Sequence, residues 1–270
     1  MTAASGSPAR VAVVTGAARG IGAATVHELC AQGYAVVAVD ACAGTGSPPG
    51  VDYALADPTD LQTLADAYPA DVLPWAADVR DPAAMAAVAA GAVERFGRLD
   101  VMVAAAAVIA GGQPLWKTPT DHLQTLWEVD VLGVWNTVAA CVPHMLDGPD
   151  PSSCRVVAVA SAAGSRGLFH LAGYTMAKHA VVGLIRGLAA DLVGTGVTAV
   201  TVSPGSTRTP MLTATADLYG LADVEAFAES QLLGRLLEPD EVARVIAWCC
   251  ARESAALNGA DIPADGGFSG

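Results

Sequence analysis

Six short runs of apolar, largely β-branched residues recur along this chain, and most are separated from the next by a stretch long enough for a helix. The runs are Val11–Thr15, Ala35–Asp40, Trp75–Val79, Val101–Ala105, Val156–Ser161 and Thr198–Ser203, with helix-length stretches at 21–32, 82–96, 120–146, 173–194 and 239–251. A strand that is apolar along its whole length has both faces covered, and helices between successive strands supply the cover. The chain is therefore read as a single α/β domain with a doubly wound parallel sheet. Its 270 residues suit one such domain, and a hydrophobic content of 53% is enough for a sizeable core.

The charge balance excludes some partners. A net charge of −13 repels nucleic-acid phosphate. No uncharged apolar run reaches the roughly 20 residues of a membrane span. Met1–Arg10 shows no basic stretch followed by an apolar one, so no secretory leader is read and the cytoplasm is the default. Cys30, Cys42, Cys141, Cys154, Cys249 and Cys250 form no C-x-x-C pair and no His cluster accompanies them, so no metal site is expected. Five fall in apolar stretches and read as core thiols, while Cys42 lies in a loop.

The first strand closes into Thr15-Gly16-Ala17-Ala18-Arg19-Gly20-Ile21-Gly22, which opens the first helix. Small residues there let backbone N–H groups reach a pyrophosphate, and the helix N-terminus adds its positive end. Asp40 ends the second strand, where a carboxylate takes both ribose hydroxyls of NAD and repels the 2′-phosphate of NADP. Asp78-Val79 is read at the end of the third strand. Asp78 either binds the adenine amino group or caps the helix at 82.

Tyr174 and Lys178 are four residues apart and share a helix face. A free phenol, with a pKa of about 10, is a poor base at neutral pH, and a nearby ammonium favours the phenolate. Ser161, at the end of the preceding strand, is placed to hold a substrate oxygen beside that phenol.

With these pieces in order, the sequence resembles the short-chain dehydrogenase/reductase family over nearly its whole length. The matching pieces are Thr15–Gly22, Asp78-Val79, Ser161, Tyr174/Lys178 and Pro204-Gly205-Ser206-Thr207-Arg208-Thr209. The resemblance implies a Rossmann-type sheet of about seven strands, with a closing strand near Ala260–Pro263. It implies Tyr174 as general acid/base, Ser161 as orienter and Lys178 as the partner that lowers the phenol pKa and binds the ribose. Pro204, Gly205, Thr207 and Thr209 would lie along the nicotinamide and phosphates, and residues 210–236 would form a substrate lid. Dimers or homotetramers built on the two long central helices are the usual assembly.

The chain departs from that pattern twice. Ala104-Ala105-Ala106-Ala107 stands where the family usually has Asn-Asn-Ala-Gly, leaving Ala105 to line the cofactor through its backbone. Asp130 stands where a catalytic Asn normally helps hold a relay water for Lys178. A charged Asp130 would hold Lys178 protonated more firmly. Asn136 reads as a helix-surface residue.

The connection from 42 to 74 is longer than a plain crossover needs. It opens on Gly44, Gly46, Pro48, Pro49 and Gly50, and a helix is read from Pro58 to Tyr68. Part of it is read as an insertion, either a surface ornament or a lid. The stretch Gly50–Leu61, leading to Asp78-Val79-Arg80-Asp81, resembles the mycofactocin-associated branch of the family. There a similar insertion covers an NAD that does not exchange and is reoxidised in place by the carrier mycofactocin. Leu168, Phe169, His170, Trp116, Met211, Leu212, Leu218, Tyr219 and Phe227 are candidates for an apolar pocket, which points to a hydrophobic secondary alcohol or its ketone. Two other readings stay open: an ordinary dehydrogenase with exchanging NAD, and a catalytically silent dinucleotide-binding scaffold.

Overall fold

The computed structural model describes residues 10–269, so Met1–Ala9, over which no secretory leader is read, and Gly270 lie outside it. Its strands are β1 Val11–Thr15, β2 Ala35–Asp40, β3 Val72–Ala76, β4 Val101–Ala104, β5 Arg155–Val159, β6 Thr198–Pro204 and β7 Asp261–Ala264. All seven are parallel, in the order β3-β2-β1-β4-β5-β6-β7. The helices are α1 Gly20–Ala31, α2 Pro58–Asp66, α3 Pro82–Phe96, α4 Thr120–Leu126, α5 Gly133–Leu146, α6 Ala172–Asp191, α7 Pro210–Tyr219 and α8 Pro239–Cys250. This is the single-domain doubly wound fold that the alternation of strand and helix implied.

Alternation along each strand sends its side chains into two separate cores. Val11 and Val13 of β1 pack with Met85 and Val88 of α3 and Val181 and Ile185 of α6. Ala12 and Val14 face the other way, toward Val26 and Leu29 of α1 and Val242 and Ile246 of α8. Burying each of these side chains contributes about 1.5–3 kcal/mol for a Val, Leu, Ile or Met. Both faces of the sheet are therefore sealed, and ligands are left only the ends of the strands.

The third strand lies earlier than the sequence suggested, at Val72–Ala76 rather than Trp75–Val79. Its register is set by β2, with Val36 opposite Val72 and Asp40 opposite Ala76. It is also an edge strand, where Pro74, lacking an N–H, is tolerated. Asp78 and Val79 thus lie in the loop beyond the strand. Asp81, not Asp78, caps α3, accepting from the Ala83 and Ala84 amides at 2.8 and 3.1 Å.

The stretch from Thr120 to Leu146 runs as one long helix. It is long and apolar enough to cross a membrane by length and composition, with a mean hydropathy of 1.3 in its most apolar part, although charged residues interrupt it. Half of that stretch is buried inside the protein, α5 lies along α3, and α4 touches α6. Between α4 and α5, residues Trp127–Leu132 widen into a π turn. Single π turns within α-helices re-aim side chains and concentrate at functional sites. This one carries Asp130 to the interior, fully buried.

Candidate active site

The chain order reverses between β1 and β4, which are neighbours in the sheet, and at such a switch point the carboxyl ends of the strands leave a crevice. A cavity of about 780 Å³ occupies it. It runs from the Gly16–Gly22 turn past Asp40, Asp78 and Val79 to Ala105, Ser161, Tyr174 and Lys178, and is closed by Pro204–Thr209.

One end suits a dinucleotide. Gly16 has φ +67°, and a Cβ there would lie 2.7 Å from the backbone of Ala106. A Cβ on Gly22 would lie 1.9 Å from the Gly16 carbonyl oxygen. Neither position admits a side chain, so turn and helix stay close enough for backbone to face a phosphate. Helix α1 has no side-chain cap and no acidic residue in its first turn, unlike α2 and α3, which Asp57 and Asp81 cap. Its free N–H groups near Gly20 and Ile21 are left for an anion.

Asp40 is fixed by two backbone amides, Ala18 to Oδ2 at 3.2 Å and Cys42 to Oδ1 at 3.0 Å. Each oxygen keeps a free lone pair for a ribose hydroxyl. Cys42 holds φ +50° to make its bond and is half-buried. Asp78 is held by Arg80 through Nε and Nη2, at 2.9 and 2.6 Å to Oδ2. Its partial burial works against ionisation, but the Arg80 bonds outweigh it and keep the carboxyl below its usual range.

The other end gathers the phenol, the amine and the hydroxyl. Tyr174 and Lys178 are both buried on one face of α6, with the Lys178 ammonium 5.5 Å from the centre of the Tyr174 ring. Lys178 donates to the Val159 carbonyl at 3.4 Å. Ser161 begins the turn after β5, and its Oγ accepts from the Ala163 amide at 3.1 Å. Asp130 lies behind the cavity wall. Its Oδ1 accepts from the Val108 amide at 2.9 Å, and its Oδ2 lies 3.3 Å from Lys178 Nζ without the alignment of a hydrogen bond.

The electrostatics differ from expectation in one respect. Burial raises the phenol pKa of Tyr174, and it outweighs the lowering by Lys178; Asp130 adds to the rise. Burial pulls Lys178 down, but the Asp130 carboxylate beside it more than compensates, so the ammonium is favoured. The sequence had anticipated the second effect and underweighted the first, because desolvation cannot be read from spacing.

Among the apolar candidates, Leu168, Phe169, Met211, Leu212, Tyr219 and Phe227 line the cavity. Trp116, His170 and Leu218 do not; Trp116 is 81% exposed, and His170 at φ +54° stacks on Phe169 at 3.7 Å. Asn136 is not a plain surface residue, since its amide donates to the Val79 carbonyl at 2.9 Å and fixes the loop beside Asp78. The lining beyond the expected residues includes two large aromatic side chains. Phe268 comes from the C-terminal segment, which pairs with the stretch at Gln231, and Tyr53 comes from the loop after β2. Neither has a local sequence signal.

The family described as Enoyl-(Acyl carrier protein) reductase matches residues 16–269. An uncharacterized NAD-dependent oxidoreductase of Mycobacterium tuberculosis is 36% identical, over 96% of this chain and 95% of its own. The cis-4-hydroxycyclohexanecarboxylate dehydrogenase of Sinomonas cyclohexanicum is 35% identical, over 96% of both chains. Carveol dehydrogenase from Mycobacterium avium, solved in complex with NAD, superposes with a TM-score of 0.88 at 27% identity over 96% of both chains. The chain belongs to the short-chain dehydrogenase/reductase family. It is an oxidoreductase, and the dinucleotide that fits beside Asp40 is NAD.

Proposed function

We propose that the protein interconverts a hydrophobic secondary alcohol and its ketone, with Tyr174 as general acid/base. The observation that carries this is the burial of Tyr174 and Lys178 together on one face of α6, in the same cavity as Ser161 and the uncapped end of α1. Bound NAD supplies the hydride acceptor. Tyr174 takes the alcohol proton, Ser161 holds the alcohol oxygen beside it, and Lys178 stabilises the phenolate and bonds the ribose. Leu168, Met211, Leu212 and Phe227 give the substrate end an apolar wall, and residues 210–236 act as its lid. The relatives' names agree in substrate type, being dehydrogenases of cyclic alcohols.

The finer reading is that NAD is resident and mycofactocin reoxidises it in place. Support comes from the loop at 41–57. Ala43, Gly46, Pro48, Tyr53 and Leu55 line the cavity, and Arg19 of the phosphate turn donates to the Ala54 carbonyl at 2.7 Å. A loop fastened to the turn that binds the cofactor hinders its departure. Exhaustive dialysis followed by acid extraction is expected to release stoichiometric NAD. With carveol and no external acceptor, the protein is expected to reduce that NAD once and stop. A nucleotide-free protein that turns over with added NAD would overturn this reading and leave an ordinary dehydrogenase.

The assembly is read as a homotetramer in the cytoplasm. Leu123, Trp127, Leu132 and Trp135 of the Thr120–Leu146 stretch are exposed, Trp135 by 60%, and concentrations of exposed apolar side chains mark contacts between copies. Six free thiols suit a reducing compartment. Light scattering is expected to give four chains per particle, and a monomer would remove the proposal.

A further inference from the structure

The loop after β4 has lost the amide side chains usual in its family, yet it is not loose. Four of its backbone amides are held from outside. Thr15 Oγ1 accepts from Ala105 and Ala106 at 3.2 and 3.3 Å, Asp130 from Val108 at 2.9 Å, and the Tyr53 phenol oxygen from Ile109 at 3.0 Å. The first two acceptors come from the sheet and from the π turn. The last comes from the loop over the cofactor end.

That loop is a braced unit. Gly44 and Ala56 pair at 2.9 Å, Leu55 donates back to Gly44 at 2.8 Å, and the Ser47 hydroxyl donates to the Tyr53 carbonyl at 2.8 Å. Val51 is buried in the core, and the Ala54 carbonyl is held by Arg19. Tyr53 and Ala54 are neighbours in the chain, so one rigid segment holds the loop after β4 through Tyr53 and the phosphate turn through Ala54.

We propose that Tyr53 is a positioning residue for hydride transfer, whose phenol oxygen holds the Ile109 amide and so fixes the Ala105–Ile109 backbone that lines the reaction cavity. It acts through Ile109 rather than on the reacting atoms. Burial pushes the Tyr53 phenol up to about 12, against lowering by the Ile109 amide and Arg19, and Asp130, with Tyr174 in its ionised form, adds to the rise. Tyr53 therefore stays protonated and does not compete with Tyr174 for the alcohol proton. An enzyme of this arrangement reacts well only when the loop is seated, which ties coverage of the cofactor to catalysis.

This rests on Tyr174 as the acid/base, so Tyr53→Phe and Tyr174→Phe are assayed side by side with carveol, saturating NAD and a redox dye as external acceptor, so that turnover is read whether or not the NAD exchanges. Hydrogen exchange is followed over residues 105–112. Tyr53→Phe keeps the ring and removes the acceptor. Its kcat is expected to fall about tenfold, since small displacements of a reacting geometry cost that much or more. KM is expected to change less than ~twofold, the pH profile to keep its shape, and exchange at Ile109 to rise. Unchanged exchange in Tyr53→Phe, or faster exchange with unchanged kcat, would overturn the proposal. A shifted pH profile would also overturn it, by placing Tyr53 on the proton path. If Tyr174→Phe keeps full activity, the acid/base reading fails instead, while the exchange result still decides whether Tyr53 holds the loop.

Discussion

Tyr174→Phe is expected to lower kcat/KM for alcohol oxidation by roughly 10³-fold, in the range general acid–base groups contribute. The ring is retained, so the packing of α6 and its contact with Lys178 survive and the melting temperature is expected to stay within a few degrees. NAD content is expected to be unchanged. Only the group that carries the proton is lost, and such losses appear equally in kcat and kcat/KM. Oxidation with full rate in this variant would sink the assignment.

The pH dependence follows from the direction of the Tyr174 shift. Burial raises this phenol above its ordinary value despite Lys178, so the phenolate is the minor form at neutral pH. Oxidation needs the phenolate and is expected to climb with pH through the alkaline range. Ketone reduction needs the protonated phenol and is expected to be flat near neutrality, declining only as the phenol ionises. In Tyr174→Phe both limbs vanish.

Much of this was legible in the chain, and the parts that were not share a cause. The sheet could be read because its strands are apolar on both faces, and the phosphate turn because Gly16 and Gly22 exclude any side chain. β3 was misplaced because its position depends on pairing with β2, and Pro74 breaks the local strand signal. Asn136, Tyr53 and Phe268 were missed or misread because each acts across the fold, on Val79, on Ile109 and in the cavity. Their partners are chosen by tertiary structure and leave no spacing to recognise. Trp116 erred the other way: a large apolar residue near a site in sequence was taken for its wall, and the loop carries it outward.

Asp130 is one of the two places where the chain departs from the pattern of its family, and removing its carboxylate is expected to have the largest effect on stability. It is the acid beside a fully buried Lys178, with burial raising its carboxyl pKa against lowering by Lys178 and the Val108 amide, and it also satisfies that amide. Asp130→Ala strands both, and breaking a buried pair by deleting one partner costs about 3–5 kcal/mol. For a chain of this size that corresponds to a fall in Tm on the order of 10 °C. A loss of only a degree or two would mean that water reaches Lys178 and that the pair is not dry. Asp130→Asn separates charge from hydrogen bonding, because the amide oxygen still accepts from Val108. The carboxylate raises the Tyr174 pKa, so its neutral replacement lowers it, provided that Lys178 stays charged beside the Val159 carbonyl. The alkaline limb of alcohol oxidation is then expected to move about one unit toward neutral pH, the scale of a nearby unit charge on a buried group. A limb that stays in place would show that Asp130 is electrostatically silent toward the phenol. A limb that moves upward would show that Lys178 has given up its proton, and that the carboxylate is what keeps this site's cation in being.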